Sequence, residues 1–300
     1  MEQSSESSSM KKMEDDKKFG QSARKLTKEE IDKLNSDTEL ISDFRQRKLE
    51  QECKKNWDLF YKRNEDRFFR DRNWTTREFH ELLELSAETN DDRQLRLLEV
   101  GCGVGNFIWP LLESGLPFQF YACDFSPRAI DLLRKNERYD PKRCHVFQAD
   151  ITEPNGIGRN LSSSSSCDNE NLKFDFVALI FVLSSIHPCK MPLALKNISD
   201  VLDDDRGILI FRDYGLYDHS MLRYSNGHKL DENFYVRQDG TRTYYFSIDV
   251  MNKLAQESDL EVIQLNYIQR ETINIKENLC VPRIFLQGKF RKKRKSSYTH

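Results

Sequence analysis

A short apolar strand that runs into a glycine-rich turn constrains the fold of this chain more than any other feature. The segment Leu97–Asn106 reads LLEVGCGVGN, and its carboxylate, Glu99, stands just before the first glycine. Glycine lets a backbone approach a ligand closely and tolerates positive φ. We therefore predict that Gly101, Gly103 and Gly105 form a loop beneath a nucleoside cofactor, at the carboxyl end of a strand.

Two further strands are predicted to end in an acid. Asp124 follows the segment Tyr121–Cys123, and Asp150 follows Val146–Ala149. In a βαβ unit, the end of the second strand places a carboxylate where it can accept hydrogen bonds from both ribose hydroxyls. We expect Asp124 in that role and Asp150 beside an adenine amino group. Alternatively both acids cap helices or turns, and the two roles are compatible.

The glycine spacing favours S-adenosylmethionine over a nicotinamide dinucleotide. The G-x-G-x-G pattern is followed by Asn106, so it lacks the third glycine of G-x-G-x-x-G, the pattern whose helix N-terminus receives a pyrophosphate. Glu99 would repel a phosphate but attract an amino group or a sulfonium. We therefore predict a methyltransferase. The alternatives are a nicotinamide dehydrogenase and a non-catalytic RNA-binding scaffold on a methyltransferase fold, although a scaffold would be expected to have lost these acids.

Composition excludes several other classes of protein. The formal net charge of the 300 residues is −2, so overall charge does not indicate a nucleic-acid partner. The seven cysteines form no C-x-x-C pair, which argues against structural zinc and fits a reducing compartment. No apolar run approaches the roughly 20 residues of a membrane span, and residues 1–20 are too polar and acidic for a signal or transit peptide. We expect a cytoplasmic protein, present also in the nucleus, without membrane or metal.

Strand and helix patterns alternate from about residue 95 onward. The predicted strands are Leu95–Val100, Phe118–Cys123, Cys144–Ala149, Phe174–Ile180, Gly207–Arg212, Leu260–Arg270 and Val281–Phe290, and the predicted helices are Val104–Glu113, Pro127–Asn136, Met191–Leu202 and Ile248–Glu257. This alternation predicts an α/β, Rossmann-like fold of the class I S-adenosylmethionine-dependent methyltransferases: a doubly wound, mostly parallel seven-stranded sheet with an N-terminal helical extension.

Composition shifts divide the chain into four regions. Residues 1–25 are predicted to be a disordered arm, 26–90 a helical region, 91–290 the methyltransferase domain and 291–300 a basic tail. Within the domain, 154–171 is a serine-rich loop and 212–246 a substrate-side insertion, in which Asp239-Gly240 predicts a hairpin turn. Trp57 and Tyr61 are four residues apart, hence on one helix face. Spacing alone favours simple packing for this pair over a lid above the cofactor.

Several long segments resemble the eukaryotic tRNA 3-methylcytidine methyltransferases, over about residues 40–290. They are Asn56–Asn64 (NWDLFYKRN), Leu98–Asn106, Cys123–Ser126, Leu179–Ser184, Phe211–Gly215 and Asn233–Arg242 (NFYVRQDGTR). Ser126–Ile130 and Cys280–Gln287 are most similar to the branch that acts on serine tRNAs. The resemblance implies methylation of cytidine 32 in the anticodon loop with help from seryl-tRNA synthetase. The same chemistry on threonine or arginine tRNAs is the alternative.

The resemblance also implies that the N-terminal helical region is a cofactor lid that contacts tRNA. Residues expected at the cofactor are Trp57, Tyr61, Glu99, Gly101, Gly103, Asp124, Asp150, Ile151 and Ile180. Of the basic residues between Lys54 and Arg77, we expect Arg63, Arg67, Arg70 and Arg72 to hold phosphates. The basic tail is predicted either to contact RNA or to be a solvated nuclear-localisation segment.

Methylation of a ring nitrogen needs little from the protein beyond positioning and electrostatics, because N3 of cytosine carries a free lone pair. The chain has Phe181–Ser184 in place of the [DN]-P-P-[YF] motif that serves exocyclic amino groups. We predict that Asp213 stabilises the cationic product base and accepts a hydrogen bond from its amino group, and that Arg212 contacts base or phosphate. Alternatively these two side chains pair with each other. Phe181 or Tyr214 is expected to stack on the base, and Arg237 to contact RNA.

Overall fold

The computed structural model describes residues 18–88, 94–162, 172–274 and 279–294. Its strands are β1 (Lys18–Gly20), β2 (Leu95–Val100), β3 (Phe118–Asp124), β4 (Cys144–Gln148), β5 (Phe176–Ile180), β6 (Ile208–Tyr214), β7 (Lys229–Asp231), β8 (Phe234–Val236), β9 (Arg242–Tyr244), β10 (Leu260–Asn274) and β11 (Leu279–Lys292). Its helices are α1 (Lys28–Ser36), α2 (Asp43–Gln51), α3 (Cys53–Asn64), α4 (Thr75–Glu78), α5 (Glu81–Glu88), α6 (Ile108–Glu113), α7 (Pro127–Lys135), α8 (Gly158–Ser162), α9 (Met191–Val201), α10 (His219–Leu222) and α11 (Ile248–Glu257).

The main sheet confirms the predicted doubly wound fold and adds one strand to it. Its strand order is β1-β10-β11-β6-β5-β2-β3-β4. Strands β2 to β6 are parallel to one another, whereas β11, β10 and β1 are antiparallel to their neighbours. The additional strand β1 pairs with Tyr267–Gln269 of β10. The predicted disordered arm of residues 1–25 is therefore wrong from residue 18 onward, and residues 1–17 lie outside the described residues.

Both faces of the sheet are covered by apolar side chains. All five residues of β5 are buried, as expected for a central parallel strand packed on both sides. One face carries α4 to α7, represented in its core by Phe79, Leu82 and Ile108. The opposite face carries α8, α9 and α11 together with the insertion. This two-sided packing leaves the carboxyl edge of the parallel strands as the place where loops from both layers meet.

The predicted helical region, residues 26–90, consists of the separate helices α1 to α5. Thr27 caps α1 in a capping box, since its hydroxyl accepts from the Glu30 N–H at 3.3 Å and the Glu30 carboxylate accepts from the Thr27 N–H at 2.9 Å. The chain is not helical between α1 and α2, where buried Ile41 donates its backbone N–H to the Lys229 carbonyl at 2.9 Å. Docking of this linker against the insertion therefore interrupts the helix.

The boundaries of three other regions also differ from the prediction. Strand β6 continues through Tyr214, so the 212–246 insertion begins after it and folds into α10 and the small sheet β7-β8-β9, with the predicted hairpin at Gly240. Strand β11 continues to Lys292, so the first two residues of the 291–300 tail belong to the sheet. Part of the 154–171 loop forms α8, and residues 163–171 and 295–300 lie outside the described residues. No described helix is long and apolar enough to cross a bilayer.

We expect the buried carboxylate of Asp218 to be essential for attaching the insertion to the sheet. It accepts from Arg283 Nε at 2.9 Å, from the Ile284 N–H at 2.8 Å and from the Ser220 N–H at 2.9 Å. Asp218→Ala leaves these donors buried without their acceptor and should lower the free energy of unfolding by about 3–5 kcal/mol. Urea denaturation checks this, with exposed Asp66→Ala expected to change it by less than about 0.5 kcal/mol. Equal effects of the two variants would contradict the prediction.

Candidate functional site

A cavity of about 260 Å³ lies at the carboxyl edge of β2 to β5, beneath α2 and α3. Eight of the nine predicted cofactor residues line it: Trp57, Tyr61, Gly101, Gly103, Asp124, Asp150, Ile151 and Ile180. Residues that were not expected at the cofactor also contribute, namely Glu50, Cys53, Phe69, Arg72, Asn106, Ser185, His187, Lys190 and Arg242. The sequence offered no local signal for most of these, because they come from separate loops and helices that only the tertiary fold brings together.

The glycine loop forms the floor of this cavity. Gly101 has a φ of 65°, and a Cβ at this position would lie 2.4 Å from a methyl carbon of Val182. Gly103 has a φ of 53°, and its Cβ would lie 2.8 Å from the Tyr61 hydroxyl. Both positions therefore exclude any side chain, on conformational and steric grounds together. Helix α6 begins four residues later than predicted because the left-handed turns of this loop continue past Val104.

Asp124, the last residue of β3, and Asp150, two residues after β4, both line the cavity while shaping their own turns. The Asp124 carboxylate accepts from the Gly103 N–H at 3.0 Å and from the Ser126 N–H at 2.9 Å. Burial raises the pKa of Asp124 to about 6. Asp150 accepts from the backbone and the hydroxyl of Thr152, each at 2.8 Å. Both acids therefore form the predicted turns, and their position at the cavity is compatible with the expected ligand contacts.

Helix α3 covers the cavity and is fixed at its inner side. Trp57 and Tyr61 line the cavity with ring centroids 6.1 Å apart, and Tyr61 is buried. Between them, Asp58 accepts a hydrogen bond of 2.5 Å from the hydroxyl of Ser126, the residue that caps α7. Trp57 and Tyr61 therefore pack against the core and also cover the cavity.

Helices α2 and α3 are also bound to the insertion and to the turn before α9. The Asn56 amide donates to the Gly240 carbonyl at 3.2 Å. The Glu50 carboxylate lies 2.5 Å from Lys190 Nζ and also pairs with Arg242. Arg242 in turn donates to Cys53 Sγ at 3.3 Å. We call the four residues Glu50, Cys53, Lys190 and Arg242 the outer polar cluster; they close the cavity on the side of Asp150.

Glu99 is the one predicted cofactor residue that does not line the cavity. It is only 1% exposed, and its carboxylate lies 3.8 Å from Nη1 of Arg72, which does line the cavity. Burial raises the pKa of Glu99 to about 8. Arg72 was expected on the phosphate-binding surface, but the structure turns its side chain inward against the end of β2. The expectation for Arg72 is therefore wrong.

An aromatic wall, formed by Phe181, Tyr214 and Phe285, adjoins the cavity. Phe181 lines the cavity directly after β5 and has a φ of 60°, which is unusual for a residue with a side chain. Its ring centroid lies 5.1 Å from that of Tyr214 and 5.4 Å from that of Phe285. The guanidinium of Arg237 lies over the Tyr214 ring at 5.7 Å. Three of the four predicted substrate residues are therefore contiguous, while Arg63 is exposed at the end of α3.

Arg212 and Asp213 do not reach the cavity. The Asp213 side chain is fully buried and accepts from the backbone N–H groups of Ser184 and Tyr214, each at 2.9 Å. Arg212 is 2% exposed, and its guanidinium lies 4.4 Å from the Trp74 ring centroid and 4.7 Å from that of Phe285. Successive residues of a strand point to opposite faces of the sheet. The two side chains therefore neither pair with each other nor stand where they could contact a base.

The residues present at the cavity suit S-adenosylmethionine. Asp124 and Asp150 offer carboxylates for ribose hydroxyls and an adenine amino group, and the glycine loop leaves room for a ligand against the backbone. Arg72 also lines the cavity and offers a cation for the carboxylate of an amino-acid moiety, with Glu99 buried behind it. Among the described residues, no group of three His, Cys, Asp or Glu side chains is arranged to hold a metal ion.

Comparisons with known proteins agree with this site. Residues 64–265 match the family described as "Methyltransferase domain". The chain is 53% identical over 273 residues to human "tRNA N(3)-cytidine methyltransferase METTL6", covering 91% of this chain and 92% of that protein. It is 39% identical to "tRNA N(3)-methylcytidine methyltransferase trm141" of Schizosaccharomyces pombe, covering 84% and 97%. A solved S-adenosylmethionine-dependent methyltransferase from Anabaena variabilis shares the fold, with a TM-score of 0.57, 14% identity, and coverage of 80% and 95%.

Asp124 should make cofactor affinity depend on pH near 6. With a pKa of about 6, its carboxyl group is ionised at pH 7.5 and protonated at pH 5. If Asp124 holds the ribose as predicted, its ionised form is the better acceptor for the hydroxyls, so the affinity for S-adenosylhomocysteine should be high above pH 6 and fall below it. Asp124→Asn should weaken binding about 10- to 100-fold at pH 7.5 and flatten this pH dependence.

Isothermal titration calorimetry between pH 5 and 8 measures this dependence. Circular dichroism at each pH verifies that the protein stays folded. Binding by the native chain that does not change across pH 6 would refute the role of Asp124.

Proposed function

Because this chain belongs to the tRNA N(3)-cytidine methyltransferase family, we propose that it uses S-adenosylmethionine to methylate N3 of cytidine 32 in the anticodon loop of serine tRNAs. The substrate branch is supported by the pattern of identities. Proteins named METTL6 are 51–53% identical to this chain, whereas proteins named METTL2 from zebrafish, Drosophila and Xenopus are 34–38% identical. The motif segments Ser126–Ile130 and Cys280–Gln287 favour the same branch.

The aromatic wall is the observation that carries this proposal. It begins at Phe181 on the cavity lining and continues outward through Tyr214, so that a base stacked against it would lie beside the cofactor. Aromatic rings and guanidinium groups are the surfaces on which unstacked RNA bases are held. An anticodon loop already exposes its bases, so bringing one into this position costs less than extrusion from a duplex.

The chemistry requires only positioning of the base. When bound, S-adenosylmethionine supplies an electrophilic methyl group on a sulfonium. The N3 lone pair of cytosine is free at neutral pH, so no residue of the chain need remove a proton. We infer that Phe181 and Tyr214 orient the ring and that Arg237, over the Tyr214 ring, contacts the neighbouring nucleotide or phosphate.

Asp213 would act through the loop that carries this wall. Its carboxylate accepts hydrogen bonds from the backbone N–H groups of Ser184 and Tyr214. Ser184 lies three residues beyond Phe181 in the chain. Burial raises the pKa of Asp213 to about 6, so that it remains largely ionised at pH 7.5. An ionised carboxylate behind the wall also favours a cationic product base. We therefore assign Asp213 as a positioning residue, and we assign Arg212 to the support of Phe285.

We propose tRNA and seryl-tRNA synthetase as partners, and the cytoplasm, with some of the protein in the nucleus, as the location. Exposed arginines such as Arg63 and Arg70 lie near the lid, where they could hold phosphates of a tRNA. The five cysteines whose side chains the structure describes are free, which fits a reducing compartment.

The proposed reaction is tested by methyl transfer from labelled S-adenosylmethionine to total tRNA, with and without seryl-tRNA synthetase, followed by nucleoside analysis. We expect 3-methylcytidine at position 32 of serine tRNAs, with a higher rate when the synthetase is present. Product confined to threonine or arginine tRNAs would contradict the serine assignment. Absence of product under both conditions, with cofactor binding intact, would favour the scaffold alternative.

The role of Asp213 predicts a loss of turnover without a loss of cofactor. In Asp213→Asn only the amide oxygen can accept a hydrogen bond, so one of the two backbone N–H groups loses its acceptor. The loop after Phe181 is then no longer fixed in position. The value of kcat on serine tRNA should fall about 10- to 100-fold, while the Kd of S-adenosylhomocysteine changes less than about threefold. The exposed Asp66→Asn variant serves as the matched control. Near-normal turnover of Asp213→Asn would overturn the assignment.

A further inference from the structure

We propose that Cys189 and His187 form a thiol–imidazole site that is modified by small anionic disulfides such as glutathione disulfide, and that the adduct weakens the attachment of helix α2 to the core. This site takes no part in methyl transfer or in binding of the RNA, and it can be tested without either.

The thiol of Cys189 already touches a base. Cys189 is exposed, and its Sγ lies 3.0 Å from Nδ1 of His187. Nδ1 also accepts the backbone N–H of Cys189 at 3.3 Å, so in the neutral imidazole this nitrogen carries a lone pair and not a proton. Burial lowers the pKa of His187, which keeps the ring neutral at neutral pH. The imidazole can therefore accept the proton of the thiol.

The surroundings of the sulfur favour a negative charge. Helix α9 begins at Met191, two residues after Cys189, and the N-terminal end of a helix attracts anions. The next residue along the chain is a cation, Lys190, whose side chain is 42% exposed. The thiolate is the form of cysteine that attacks a disulfide. An imidazole, a helix end and an ammonium group are thus arranged around one accessible sulfur.

The other described cysteines lack this environment. Burial raises the thiol pKa of all four of them, namely Cys53, Cys102, Cys123 and Cys144. A thiol that stays protonated is a poor nucleophile. Among the cysteines whose side chains the structure describes, Cys189 is therefore the one suited to react.

The reaction with glutathione disulfide is a thiol–disulfide exchange. The Cys189 thiol gives its proton to Nδ1 of His187, and the thiolate attacks one sulfur of the disulfide. The bond between the two glutathione sulfurs breaks, and a bond forms between Cys189 Sγ and one of them. The released glutathione thiolate takes up the proton from the imidazole. The protein thiol is oxidised and one half of the disulfide is reduced, so no further oxidant is needed.

The adduct would stand beside the contacts that close the cavity. Lys190 Nζ lies 2.5 Å from the Glu50 carboxylate of α2, and this pair belongs to the outer polar cluster. Glutathione carries two carboxylates, which would compete with Glu50 for Lys190. A sulfur in a disulfide also has no proton to donate to His187, which lines the cavity and packs against the Phe234 ring. Modification of Cys189 should therefore weaken cofactor binding.

The site is tested first by mapping the adduct. The native chain is incubated with glutathione disulfide at pH 7.5, and peptide mass spectrometry follows the modified fraction of each cysteine. Cys189 should react about 10-fold faster than any other described cysteine. His187→Asn keeps an acceptor for the Cys189 N–H but offers no base, so it should slow the reaction at Cys189 about 10- to 100-fold. Circular dichroism verifies that this variant is folded.

Calorimetric titration with S-adenosylhomocysteine then measures the consequence for the cofactor. The glutathione adduct should raise the Kd about threefold to tenfold, and dithiothreitol should restore the native value. Cys189→Ser cannot form the adduct, so it should keep the native Kd in the presence of glutathione disulfide. Cystamine is a cationic disulfide without carboxylates. Its adduct at Cys189 should change the Kd by less than about twofold.

Four results would overturn the proposal. The first is a native chain in which Cys189 remains unmodified, and the second is an equal reaction rate in folded His187→Asn. The third is an adduct at Cys189 that leaves the Kd unchanged or that weakens binding no more than the cystamine adduct does. The fourth is a loss of affinity in Cys189→Ser under the same treatment, because another cysteine would then be responsible.

Discussion

The close approach of other elements to the backbone at the glycine loop is the constraint on which the rest of the site depends. Val182 approaches Gly101 from the end of β5, and the Tyr61 hydroxyl approaches Gly103 from the lid. A side chain at either glycine would push one of these elements away from the sheet edge. The loop therefore determines how closely the lid and the aromatic wall can approach each other, as well as where a ligand can pass.

The sheet could be predicted from the sequence because its signals are local. The buried strands such as Phe176–Ile180 are nearly continuous apolar runs, and helices such as Pro127–Lys135 begin with a recognisable cap. The short strand Lys18–Gly20 could not be predicted, since it is defined only by pairing with Tyr267–Gln269, about 250 residues further along the chain. For the same reason the sequence carries no local signal for the break between α1 and α2, where Ile41 contacts the insertion.

The cofactor side of the site was predicted better than the substrate side. Residues such as Asp124 and Asp150 end strands, and the parallel fold alone brings strand ends together. Arg212 and Asp213 also end a strand, but their orientation depends on the neighbouring elements. Trp74 and Phe285 enclose the guanidinium of Arg212, and the loop at Ser184 takes up the carboxylate of Asp213. Arg212 and Asp213 are thus adjacent in the sequence, but their buried side chains support different parts of the structure.

Binding of the cofactor and construction of the base site depend on overlapping contacts. The lid that covers the cavity is attached to the hairpin through Asn56 and Gly240, and that hairpin also carries Arg237. Gly240 has a φ of 82°, and a Cβ there would lie 2.7 Å from the Asn56 amide, so another residue would strain the turn and disturb this contact with the lid. A displacement of the lid would therefore break a contact with the segment that holds Arg237 over the aromatic wall. Ring-nitrogen methylation depends on positioning more than on a catalytic base. The contact between the lid and the hairpin is therefore where the fold can contribute most to the rate.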